Sequence, residues 1–143
     1  RRISMWNKIK QLIIDTYVRH LNERVSYYHY LYGFDMGKDH NNSHNNEADG
    51  FKHTYMSAEL SMYLGEDIAE KIVLDHEDVP NNPPEEKEMD IHNDYVGLAI
   101  ARELKIAWSY FERITEYENL MDTIAIKVVE AMEEGKVITS IKK

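Results

Sequence analysis

The 143-residue chain contains no cysteine. That excludes a disulfide scaffold, thiol catalysis and thiolate zinc sites, and it is compatible with either redox compartment. No run of about 18 apolar residues occurs, so no segment reads as a membrane-spanning helix. Proline is scarce: Pro80, Pro83 and Pro84 are the only three, and they mark the clearest break in the chain. Positive charge is also in deficit, with 17 basic against 26 acidic residues and a net charge of −9. Proteins that grip duplex nucleic acid by its phosphates normally show a basic face, so duplex DNA or long RNA is not the expected partner. A small phosphorylated substrate stays open, because a bound divalent metal can supply the missing positive charge. The opening Arg1-Arg2-Ile3-Ser4-Met5 is neither an initiator methionine nor a signal peptide, and suggests a fragment of a longer chain.

Hydrophobic residues at 43% and charged residues at 30% place the sequence among globular proteins rather than disordered ones. The length fits one helical domain over residues 1–143 with a substantial core. Ten Tyr and seven Met make part of that core amphipathic or pliable.

Apolar residues at helical spacing predict an all-α fold of about five helices, with a short C-terminal strand or tail. The first helix covers about 3–32, with Met5, Ile9, Leu12, Ile13, Tyr17, Leu21 and Val25 as its stripe and Gly33 as its stop. Residues 35–46 read as a polar loop rich in Asn and His. Asn46 is the expected cap of a second helix reaching Leu64, and Gly65 separates it from a third helix over 66–77. Asn82 and the two prolines after it open a fourth helix through Phe111, with a bend expected around 116–119. A last helix closes at Gly135, and residues 137–141 alternate as a strand or docked tail would.

The chemistry should lie where polar residues sit on faces that ought to be buried. In the second helix Asp49 and His53 share a face, and an Asp four residues before a His can accept its ring N–H and fix the tautomer. In the third, His76 continues the apolar stripe of Ile68, Ala69, Ile72 and Val73, with Glu77 at its edge. In the fourth, Asp90, Asn93 and Gly97 form one row. A glycine inside a helix costs about 1 kcal/mol against Ala, so something should pack closely at Gly97. Asp49, His53, His76, Glu77, Asp90 and Asn93 are therefore the candidate catalytic residues, and His53, His76, Glu77 and Asp90 the candidate ligands of a divalent metal ion.

These stretches carry a resemblance. Asn46 through Tyr55, then His76-Glu77, then Met89-Asp90-Ile91-His92-Asn93-Asp94-Tyr95-Val96-Gly97 are similar to an uncharacterised bacterial family, over a motif-bearing core at 46–102. Its pattern runs roughly Asp-Ala-Phe-Arg-His, His-Glu, and Met-Asp-Leu-His-Asn-Asn. Here Gly50 and Lys52 depart from the first element and Asp94 from the last. Such domains look like C-terminal modules of large secreted or phage-associated proteins, polymorphic toxins among them. The resemblance implies a delivered effector, with an immunity or carrier protein as partner. A weaker likeness, to helical HD-type metal phosphohydrolases, would align His53, His76-Glu77 and Asp90 with their ligands, with Glu77 in place of an Asp.

Two functional classes follow. In the first, the cluster is a hydrolase centre: Glu77 or His53 is general base, Asp49 orients His53, and Asp90 with Asn93 holds substrate or a metal-bound water. A phosphoester, lipid or glycan is then the small substrate. In the second, the same residues form a structural network in a non-catalytic interaction module.

Overall fold

The computed structural model describes residues 4–34, 46–78, 80 and 82–140, and its order is α1 (Met5–Tyr32), α2 (Glu47–Leu64), α3 (Glu66–Glu77), α4 (Pro84–Ala107), α5 (Tyr110–Thr115) and α6 (Tyr117–Glu133). The fold is all-α, with no strand among the described residues. The expected polar loop falls on residues outside that description. Among the described helices none is long and apolar enough to cross a membrane.

Local chemistry sets most boundaries. The Ser4 side chain accepts the Asn7 amide at the start of α1, and Gly33 ends that helix at φ +66°, a left-handed conformation that costs glycine little. Asn46 caps α2 by accepting the Asp49 amide. Pro84 opens α4, but Asn82 does not cap it. The Asn82 side chain turns back and donates to the Glu77 carbonyl, satisfying the end of α3 instead.

Six helices stand where about five were expected. The fourth ends at Ala107, because Ser109 and Glu112 form a reciprocal capping box that starts α5. Phe111 is accordingly exposed, and the expected later bend falls at Glu116, between α5 and α6. Residues 136–140 form a docked tail rather than a strand.

Helix α2 is the axis of the fold and packs against α1, α3, α4 and α6. Phe51, Tyr55, Ala58, Leu60 and Met62 are buried on it, but so are Asp49, His53, Thr54, Ser57 and Glu59. Where α4 crosses α2, Gly97 permits a very close approach. A Cβ there would lie 1.9 Å from Ser57 Oγ and 2.2 Å from the Thr54 carbonyl. Ser57 Oγ donates to the Asp94 carbonyl at 2.7 Å, which fixes the rotation of α4 against α2.

The first helix differs from expectation in one respect. Leu21, Val25 and Tyr28 are buried, whereas Met5, Ile9, Leu12 and Ile13 are exposed. At about 100° per residue the two apolar stripes are offset by roughly a third of a turn, so the face that docks the C-terminal half leaves the other stripe in solvent. The docked half is anchored by Glu59. Its fully buried carboxylate accepts from the Arg24 guanidinium, from Tyr17 Oη at 2.6 Å and from Tyr55 Oη at 2.9 Å.

Candidate metal and catalytic site

The imidazole of His53 sits at the middle of four carboxylates drawn from three helices. Nε2 lies 3.2 Å from Asp49 Oδ1 on its own helix and 3.4 Å from Asp90 Oδ1 of α4. Nδ1 lies 3.1 Å from Glu77 Oε1, at the end of α3, and 3.4 Å from Asp94 Oδ1. Asp49, Glu77 and Asp94 are buried and Asp90 nearly so.

One imidazole does not satisfy so many oxygens. Glu77 Oε1, Asp90 Oδ1 and both Asp94 oxygens are buried without a hydrogen-bond partner of acceptable geometry. A buried unsatisfied polar group costs about 1–3 kcal/mol, more for a charged one. The titration behaviour carries the same strain. Burial opposes a charge on His53, but the close carboxylates of Asp49, Asp94 and Glu77 override it and raise the imidazole well above its usual value. Burial also lifts Asp94 to about 7, and, with the charges of Asp49 and Glu77, Asp90 to about 7. For Glu77 burial is outweighed by His53, and its carboxyl is held below the ordinary range.

Two sets of ligand atoms share His53: Asp49, His53 and Asp90 on the Nε2 side, and His53, Glu77 and Asp94 on the Nδ1 side. The 3.1 and 3.4 Å spacings on the Nδ1 side match the ligand-to-ligand distances of a polyhedron built on bonds of about 2.1 Å. The sides differ in access. A cavity of about 830 Å³ between α1 and α3 is lined by His53, Glu77 and Asp94, whereas Asp49 and Asp90 lie behind the ring. The Nδ1 set therefore faces the cavity, and Asp49 is placed to take the proton on the opposite nitrogen and hold the ring, as carboxylates do for metal-bound histidines.

Of the expected residues, Asp49, His53, Glu77 and Asp90 converge. His76 does not join them. It is exposed on the cavity wall, with its ring centroid 6.4 Å from that of His53, because Glu77 rather than His76 takes the inward face of α3. The ligand set expected from the HD-type likeness, with His76 in it, is not assembled. Asn93 is also absent from the cluster. It is fully buried and bonded to the tail, both its donor and its acceptor used at Ile138. Asp94, which was not among the expected residues, stands beside His53. Its sequence signal was the four-residue step from Asp90, which puts both carboxylates on one face of α4.

No solved structure matches the chain. The sequence profile of one family, described as a domain of unknown function (DUF6973), matches residues 34–136, a stretch that holds every member of the cluster but leaves out α1. The chain belongs to this DUF6973 family.

Proposed function

We propose that the domain is a hydrolase centred on His53, with a divalent cation held by His53, Glu77 and Asp94 and a phosphoester as the bond cleaved. The observation that carries this reading is the set of buried carboxylate oxygens with no partner around a single imidazole, open to a cavity on one side. A cation there answers the electrostatic problem that the protein leaves unsolved. With a cation held there, His53 would bind it through Nδ1 and keep its proton on Nε2, facing Asp49. One nitrogen and two carboxylate ligands suit zinc or manganese. Such a cation would supply Lewis acidity toward a phosphoryl oxygen and acidify a bound water. Asp49 and Asp90, on the far side of the ring from the cavity, hold it in place through Nε2.

The likeness of the 46–102 motifs to modules of secreted and phage-associated proteins supports a role as a delivered effector, neutralised by an immunity partner. Under this reading the intact domain arrests bacterial growth when expressed and the Glu77→Gln variant does not.

The test is turnover of small phosphomonoesters and phosphodiesters by the full chain with Mn²⁺ or Zn²⁺. His53→Ala, Glu77→Gln and Asp94→Asn should abolish both cation binding and turnover. Asp49→Asn should lose about 10–100-fold, the usual effect of removing the partner of a metal-bound histidine. His76→Ala should stay within a few-fold of the parent. Absence of cation-dependent turnover, or full activity in all three ligand variants, overturns the proposal. A structural network makes a different prediction, namely that Asp94→Asn lowers the melting temperature of the metal-free protein.

A further inference from the structure

The cavity does more than admit water to the cluster. It is a groove with α1 and α3 as walls and α2 as floor, and its volume of about 830 Å³ lies within the range of small-ligand sites, roughly 300–1,000 Å³. Its two ends differ in chemistry. One end is the His53, Glu77 and Asp94 set, beside Lys52. Beyond it, Ile14 and Val18 of α1, Met56 and Leu60 of α2, and Ile72 and Val73 of α3 form an apolar strip, with Asn7, Lys10, Gln11, Asp15, Asn22 and Asp75 also on the lining. Along α3 the lining runs from Ile68 to Glu77, about 14 Å by helical rise.

We infer that, if the site cleaves phosphoesters as proposed above, its substrate is an anionic amphiphile, a phosphoester of a long-chain alcohol, with the phosphate at His53 and the hydrocarbon along the groove. Three observations favour this class. The apolar lining is continuous with the reactive end, so one molecule can occupy both. Outside the His53, Glu77 and Asp94 set, Lys10, Lys52 and Lys71 outnumber Asp15 and Asp75 on the lining, a balance that suits an anionic head group rather than a cationic one. Among the described residues no Phe, Tyr or Trp lines the groove, although the chain has ten tyrosines. Nucleobases are commonly held by stacking on such rings, and besides His53 the lining offers only the His76 imidazole for it. Met56, unbranched and polarizable, suits a flexible chain.

The α1 wall lies outside the family-matched segment 34–136. The cluster thus belongs to the family core, whereas this wall of the groove is added by the preceding helix. Ile14 and Val18 are then selectivity residues, with no part in the chemistry.

The test uses non-hydrolysable alkylphosphonates on the Mn²⁺-loaded full chain, below their micelle concentrations, followed by calorimetry. Affinity should rise from methyl through hexyl to decyl, several-fold for each added pair of methylenes, in line with burial of hydrocarbon. Ile14→Asp should reduce decylphosphonate binding at least tenfold and leave methylphosphonate and Mn²⁺ binding unchanged. Ile72→Asn supplies the same reading from the opposite wall if the first variant fails to fold. Phosphate esters of the same lengths should show KM falling with chain length. Affinity independent of chain length, or an Ile14→Asp protein that keeps the preference, overturns the amphiphile and leaves the hydrolase standing. Chain-length-dependent phosphonate binding without turnover of any ester supports the groove's ligand class and overturns the hydrolase.

Discussion

The carboxamide of Asn93 grips the backbone of Ile138 from both sides, its Nδ2 donating to the carbonyl and its Oδ1 accepting the amide, each at 2.8 Å. Nearby, His92 Nε2 is 2.8 Å from the Lys136 carbonyl, and Gly50 leaves room where a Cβ would fall 2.9 Å from the Ile138 carbonyl. A motif that looks catalytic in sequence therefore splits between two tasks. Asp90 and Asp94 face the imidazole, and His92 and Asn93 hold the tail.

Asn93→Ala should accordingly destabilise the protein by about 1–3 kcal/mol, because two backbone groups lose their partner. Cation binding by the folded protein should be unchanged. Hydrogen exchange at the Ile138 amide, together with a Mn²⁺ titration, reads both effects. Loss of cation binding with normal exchange at Ile138 would return Asn93 to the reactive centre.

Gly97→Ala should be among the most damaging single changes. The added methyl meets Ser57 Oγ and the Thr54 carbonyl, and the second is backbone that cannot rotate away. Forcing α2 and α4 apart costs about 2–3 kcal/mol or more by the usual scale of overpacking. It would also shift Asp90 and Asp94 relative to His53. Chemical denaturation should show the loss, and the surviving folded fraction should bind cation more weakly.

Arg24→Ala should loosen α1. It removes the guanidinium from the buried Glu59 carboxylate and leaves only Tyr17 and Tyr55 as donors. Breaking one side of a buried ion pair costs about 3 kcal/mol. The groove loses its wall as α1 detaches, so protease cutting within α1 should precede global unfolding.

The metal-free protein should be less stable in mild alkali than in mild acid. Asp94 has a folded value of about 7 against an ordinary 3.8, so between roughly pH 4 and pH 7 the folded state holds more protons than the unfolded one. Stability from this group is intact below the unfolded value and declines as pH rises through the folded one. Asp90 acts with the same sign, and so does His53, whose raised value makes its contribution fade above that value. Glu77 acts oppositely, its contribution being lost as pH falls. Asp94→Asn should therefore raise the melting temperature of the metal-free protein, by more at pH 8 than at pH 4. An equal effect at both pH values would mean that the carboxylate carries no burial penalty.

The parts of the site legible in sequence were those set within one helix. Asp49 and His53 are four residues apart on α2, so their approach needs only helical geometry. The convergence of three helices was also legible, since each carried polar groups beside an apolar stripe. Choices between neighbours were not. His76 and Glu77 differ by about 100° around α3, as do Asn93 and Asp94 around α4, and periodicity admitted both members of the first pair and pointed to Asn93 in the second. Glu59, the buried anchor of α1, gave no signal because its partners Tyr17 and Arg24 lie 42 and 35 residues away.

The sequence by itself determined the helical class and the turns. Glycines at left-handed positions, the cap at Asn46 and the proline opening α4 act within a few residues of themselves and need no distant partner. Tertiary structure decided which polar residues meet. The rotation of α4 is set by the bare backbone at Gly97 pressing on Ser57 and Thr54, a contact between segments about 40 residues apart. That rotation, rather than any local preference, turns Asp94 toward the imidazole and Asn93 toward the tail.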